Sequence, residues 1–227
     1  MTATRSGDAV GARRRRGAGH ELRRVVLDAT AALLSETGDV AALTMRAVAT
    51  TAGVTAPSVY RHFPDKQSLV RAVIGDRFAA FTTILTTARD GAHGADGRLT
   101  AMAHAYVRAG LDDPGTYRVL FGATGAGPAG LGITADGEHP GAASFRTLLN
   151  AVGGCLASEI NVDSEINVDS EINVDSEILE LAVELWASLH GVVDLRITKP
   201  EMPWPDPAAL VEHTLGPVRA ASAGPRR

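Results

Sequence analysis

Apolar positions recur every three or four residues along most of this chain, and strand-like alternation is confined to one short repeat. Over residues 20–35, Leu22, Val25, Val26, Ala29, Leu33 and Leu34 form one stripe, which predicts an amphipathic helix that Gly38 ends. Thr44 opens a helix of about eight residues with Met45, Val48 and Ala49 facing inward, and Gly53 supplies the left-handed turn after it. Thr55 caps a second short helix, and Pro57 sits in its first turn, where a missing N–H costs little. Val59, Tyr60 and Phe63 give that helix an apolar seat and leave Ala56, Ser58, Arg61 and His62 outside it. Pro64 stops it. Asp65 starts a longer helix to about residue 87, with Leu69, Val70, Val73, Phe78, Phe81 and Ile84 as its inward positions.

Beyond residue 90 the helical period returns in segments near 97–111, 114–122, 142–157, 177–197 and 206–221, separated by Gly/Pro-rich stretches such as 122–140. Residues 158–178 break the pattern, because Ser-Glu-Ile-Asn-Val-Asp occurs three times unchanged and begins a fourth. Perfect identity marks a recent duplication or an artefact rather than a structural repeat, which normally drifts, so residues 158–176 are expected to be a linker. The pattern predicts an all-α protein. A flexible basic arm at 1–18 precedes a three-helix domain at 19–66, then comes a larger helical domain at 67–221, with a disordered tail at 222–227.

Composition adds boundaries rather than detail. Hydrophobic residues make up 45% of the chain and charged residues 21%, ordinary for a globular protein and against wholesale disorder. No apolar run approaches the roughly 18 residues of a membrane span, and Glu21, Arg23, Arg24 and Asp28 interrupt any secretory signal, so a cytoplasmic location and no membrane partner are expected. Charge is unevenly divided: residues 1–66 carry ten Arg/Lys against six Asp/Glu, while the rest carries twelve against twenty. The basic end, with its arginine run at 13–16, is the candidate for nucleic acid. Cys155 is the only cysteine and, beside Val152 and Leu156, reads as a small apolar filler. Cys155, His190 and Asp194 hold the residue types of a thiol triad, and His190 with Asp194 could grip a metal, but no oxyanion loop or second ligand pair accompanies them. Neither an enzyme, a metal site nor a cofactor is expected.

Helix, short helix, three-residue turn and short helix make a helix-turn-helix, whose second short helix enters the major groove of double-stranded DNA. The run Thr-Met-Arg-Ala-Val-Ala-Thr-Thr-Ala-Gly-Val-Thr-Ala-Pro-Ser-Val-Tyr-Arg-His-Phe-Pro-Asp-Lys at residues 44–66, followed by Leu69, resembles the DNA-binding domain of the tetracycline-repressor (TetR) family. The Ala-Gly-Val turn, the Tyr-Arg-His-Phe ending and the Lys-x-x-Leu that follows all fall in register. Thr44, Tyr60 and Lys66 carry a hydroxyl, a phenol and an ammonium suited to phosphate, and the resemblance implies that role. Thr55, Ala56, Pro57, Ser58 and His62 are the candidates for base edges, with Arg46 and Arg61 for base or backbone.

Trp186-Ala-Ser-Leu-His-Gly191 is similar to the WHG-type C-terminal domain of one branch of the family. Trp186 and His190 share a helix face and are candidates, with Met102, His104, Tyr106 and Phe121, for an effector pocket. A core-filling Trp and a His bonded to a backbone carbonyl are the plainer alternative. The apolar stripes Ile178, Leu181, Ala182, Leu185, Leu189, Val192 and Leu210, Val211, Leu215, Val218 serve equally as core or as interface. The resemblance, in which terminal helices form a dimer bundle, favours a homodimer through Leu181, Leu185, Leu189, Leu210, Val211 and Leu215. The implied function is repression at a palindromic operator, relieved by an unidentified small-molecule effector. The alternatives are an activator, or an architectural DNA binder without a ligand.

Overall fold

The computed structural model describes residues 6–37, 39–121, 140–156 and 176–224, with side chains from residue 19 onward. Among these residues there are helices and no strand. In chain order the helices are α1 (Ser6–Thr37), α2 (Met45–Thr51), α3 (Ala56–Tyr60), α4 (Lys66–Asp90), α5 (Ala95–Asp112), α6 (Pro114–Phe121), α7 (Ala142–Leu156), α8 (Ser176–Thr198), α9 (Pro207–Thr214) and α10 (Gly216–Ser222). They group into one unit of residues 1–76 and 118–137 and a second of 77–117 and 138–227. Gly38, the repeat at 158–175 and residues 225–227 lie outside the described residues.

The first unit is built on α1 to α3 and the opening turns of α4. Val26, Leu27 and Leu34 from α1, Val48 from α2, Val59 from α3 and Leu69, Val70 and Val73 from α4 are all buried. On α1 and α4 they fall as adjacent pairs, Val26 with Leu27 and Leu69 with Val70, each followed by a residue seven or three further on, which keeps them on one broad buried face. Thr30 is fully buried among them and donates its hydroxyl to the Val26 carbonyl at 2.7 Å, which satisfies it within its own helix. α1 begins at Ser6, well before the residue-20 start that the apolar period predicts.

In the second unit, α5 buries Leu99, Met102, Ala103, Tyr106, Val107 and Gly110, and α8 answers with Ala182, Leu185, Leu189 and Val193. Gly110 sets how closely they approach, since a Cβ there would stand 2.5 Å from Val193 Cγ1 and 2.8 Å from Tyr117 Cδ2. Ser144 of α7, also buried, shares a 2.7 Å hydrogen bond with Thr82 of α4. Two details depart from the sequence pattern. On α4 the inward position is Leu85, four on from buried Phe81 and seven from buried Phe78, whereas Ile84 is exposed, so the stripe takes the four-residue step there. The segment at 206–221 is two helices, because Pro217 has no N–H for the carbonyl of His213 and takes up the first turn of α10.

Candidate DNA-binding interface

Local chemistry fixes the turn between α2 and α3. Thr44 lies in extended conformation ahead of α2, and its Oγ1 accepts the Ala47 N–H at 3.1 Å. At the other end Gly53 has φ +65°, its N–H reaches the Thr50 carbonyl at 3.1 Å, and the Val54 N–H reaches the Ala49 carbonyl at 2.9 Å. These two bonds form a Schellman motif, which needs a left-handed residue and explains the glycine. The chain then enters α3 with Thr55 extended and Pro57 in the first turn.

α3 seats itself through Val59 and Phe63, both buried. Tyr60 does not join them: it is 51% exposed, which corrects the expected apolar seat and leaves the phenol available for a phosphate. The reason is angular, since Val59 and Phe63 are four apart on one face while Tyr60 falls a hundred degrees away. Thr55, Pro57 and Arg61 are exposed, and Ala56, Ser58 and His62 are half-buried. Thr55 departs from its expected capping role, for its hydroxyl makes no cap bond and pairs instead with Ser58 Oγ at 2.9 Å. Arg61 Nη2 donates to the same Ser58 oxygen at 3.2 Å. Arg46 is exposed on α2.

Two braces hold this surface that the sequence reading did not foresee. Lys66 Nζ donates to the carbonyls of Val40 and Ala41 at 3.1 and 3.3 Å, so its ammonium supports the loop ahead of α2. Arg23 of α1 lies over the Phe63 ring, 5.3 Å from its centroid, a cation–π contact. The start of α4 adds a third device. Asp65 Oδ1 accepts the Ser68 N–H at 2.7 Å, and Ser68 Oγ accepts the Asp65 N–H at 3.4 Å, a reciprocal capping box. The Ser68 amide also holds the Asp65 carboxyl below its ordinary range.

Against known families, residues 26–73 match the model described as bacterial regulatory proteins, tetR family, and residues 99–217, more than half the chain, match the tetracyclin repressor-like C-terminal domain. The chain belongs to the tetR family. It is a transcription regulator with a DNA-binding helix-turn-helix. No curated protein sequence matches it significantly. Solved structures share the fold: a protein from Pseudomonas aeruginosa PAO1 described as a transcriptional regulator has TM-score 0.68 and 23% identity over 89% of this chain and 90% of its own. A TetR family transcription regulator from Marinobacter aquaeolei VT8 has TM-score 0.62 and 17% identity over 92% and 97%. A TetR-like transcriptional regulator from Rhodococcus sp. RHA1 has TM-score 0.63 and 16% identity over 90% and 97%.

In the tetR-type C-terminal part, the structure brings together some of the expected pocket residues. Tyr117 Oη shares hydrogen bonds with Tyr106 Oη at 3.1 Å and with His190 Nδ1 at 2.6 Å. Trp186 lies 6.3 Å from the His190 ring and 5.7 Å from Phe145, centroid to centroid, and is 39% exposed. Burial pushes the Tyr106 phenol up to about 12 and raises Tyr117 further, and it lowers His190 against the pull of Asp194. All three are therefore neutral at physiological pH. Tyr117 is the link that the sequence did not reveal, because it joins Tyr106 on the preceding helix to His190, 73 residues away.

Met102 is buried in the same unit, and Phe121 is half-buried in the other. His104 stands apart from the aromatic group: its Nε2 pairs with Glu212 at 3.0 Å in a surface network where Arg219 also grips Glu212, Asp96 and Thr100. Its imidazole is thus paired with a carboxylate and not with the aromatic group.

Of the expected interface residues, Leu185, Leu189, Val211 and Leu215 are buried within the chain, while Leu181 and Leu210 are half-buried. The outer face of α8 is instead Leu179, Val183 and Trp186, exposed at steps of four and three. Cys155 is buried, and its thiol is pushed up to about 11 by that burial, so it is protonated at neutral pH and a poor nucleophile. Among the described residues no three of His, Cys, Asp and Glu group as a metal site, and no helix is long and apolar enough to cross a membrane.

Proposed function

We propose that this tetR-family regulator is a cytoplasmic repressor that binds a palindromic operator as a homodimer and leaves it when a small, largely apolar effector enters the C-terminal part. The observation that carries the DNA side is the outer side of α3, where exposed Pro57 and Arg61 stand opposite buried Val59 and Phe63, with exposed Thr55 at the helix's N-terminal cap. Thr44 and Tyr60, both exposed, flank that side with hydroxyls for phosphate. A helix this short reads few base pairs, so useful selectivity calls for two copies on a two-fold site. The exposed Leu179, Val183 and Trp186 on α8 support self-association.

The effector reading is supported by the Tyr106–Tyr117–His190 chain, a short run of neutral polar groups among aromatic rings, of the kind that orients one polar group of an apolar ligand. An effector that favours one conformation and DNA that favours another oppose each other by the same factor, commonly about 5- to 150-fold.

The test is binding of the full chain to duplexes from the DNA flanking its own gene, followed by anisotropy. The expected result is selective binding as a dimer, with log K falling against log salt by about 0.9 per phosphate contacted. Release by members of a small-molecule panel supports the repressor reading. Sequence-independent binding would sink it in favour of an architectural role, and ligand-enhanced transcription from the bound site would favour an activator.

A further inference from the structure

We propose that Ser58 is a positioning residue for Arg61, and that Arg61, the C-terminal cap of α3, selects a guanine in the operator. The inference rests on the operator-binding reading and concerns how that binding becomes sequence-selective.

Three side chains spaced three apart carry it. Arg61 Nη2 and Ser58 Oγ are 3.2 Å apart, and Ser58 Oγ and Thr55 Oγ1 are 2.9 Å apart. A guanidinium only donates, so Ser58 is the acceptor in the first bond and its own proton is left for Thr55. Thr55 is the residue before α3 whose hydroxyl makes no cap bond, unlike Thr44 one helix earlier. Its departure from the usual role is thus accounted for by the chain Thr55–Ser58–Arg61.

Position decides which member meets DNA. Buried Val59 and Phe63 are four apart on the inner side of α3, and exposed Pro57 and Arg61 are the four-apart pair opposite them. Ser58 is half-buried with its hydroxyl engaged on both sides, which suits a support better than a reader. Arg61 has more donors than one serine oxygen takes, and its planar fork matches the O6 and N7 acceptors of guanine. A free arginine loses many rotamers on docking; the Ser58 bond removes part of that search beforehand.

The test uses the full chain and an operator duplex selected from a random pool, together with every single-base-pair variant of one half-site, at several salt concentrations. Wild type is expected to prefer guanine at one position by about 10-fold or more. Arg61→Ala removes that preference alone, Ser58→Ala lowers it about threefold at the same position, and Ser58→Thr restores it. Salt slopes stay at the wild-type value throughout. A smaller slope and a uniform affinity loss in Arg61→Ala overturn the inference by assigning the guanidinium to phosphate. Unchanged discrimination in Ser58→Ala, or loss at a different base pair, overturns it as well, with melting temperature measured alongside to register a merely structural effect. Wild type that binds all duplexes alike defeats the operator reading itself, whereas selective wild type with an unaltered Ser58→Ala defeats this inference alone.

Discussion

The ammonium of Lys66 donates to the carbonyl of Val40 at 3.1 Å, tying the first turn of α4 to the loop that leads into α2. A second bond to the Ala41 carbonyl makes this a two-point brace beneath the helix-turn-helix. Lys66→Met keeps the stem and removes the donors, which should destabilise the domain by about 1–2 kcal/mol, since hydrogen bonds to charged groups are worth roughly 1.5–3 kcal/mol and this one is partly solvated. Calorimetry should show a melting temperature a few degrees lower, with the salt dependence of DNA binding unchanged. A variant with wild-type stability and a salt slope smaller by about 0.9 per subunit would return Lys66 to the phosphate role that the family resemblance implies.

Gly53 has open space where a Cβ would sit, so any penalty for replacing it comes from its φ of +65° alone. Gly53→Ala is expected to cost about 1–2 kcal/mol, and Gly53→Asn less, because asparagine tolerates the left-handed region. Thermal unfolding of the two variants distinguishes this from a packing effect, which would make the larger Asn the worse choice.

At Gly110 the penalty has the opposite origin. The missing Cβ leaves room for Val193 Cγ1 and the Tyr117 ring, both of which an alanine would meet at under 3 Å. Gly110→Ala should destabilise by about 1–3 kcal/mol through overpacking. Adding Val193→Ala should recover part of it, a non-additivity that unfolding of the double variant measures directly.

These contrasts show what was legible in the sequence. The α2 to α3 region could be read in detail because its determinants are local: the Thr44 cap, Gly53 and Pro57 act within a few residues of themselves. An apolar stripe, by contrast, says that a face is buried and not against what, so Leu185, Leu189, Val211 and Leu215 looked equally suited to a partner until the second unit's own core claimed them. Pairings over long separations were invisible for the same reason. Nothing near Tyr117 announces His190, and nothing near His104 announces Glu212, which lies 108 residues on.

The Tyr117–His190 pair makes the last prediction. Burial holds the His190 imidazole below its ordinary 6.5, with Asp194 opposing the shift, so between 6.5 and its folded value the unfolded chain binds a proton more readily than the folded one. The stabilisation is complete above about 6.5 and is lost as pH falls through the window below it. Glu212, whose carboxyl is lowered by bonds from Arg219 and His104, acts in a separate and more acidic window, beneath 4.5. Denaturant unfolding at pH 7.5 and 5.5 should show the wild type losing stability over that step, and His190→Gln, which cannot protonate there, losing less. Tyr117→Phe removes the 2.6 Å bond and should cost about 1 kcal/mol at pH 7.5. Equal losses in wild type and His190→Gln would mean that the imidazole is no more buried in solution than in an unfolded chain, and the neutral polar relay inferred for the effector site would go with it.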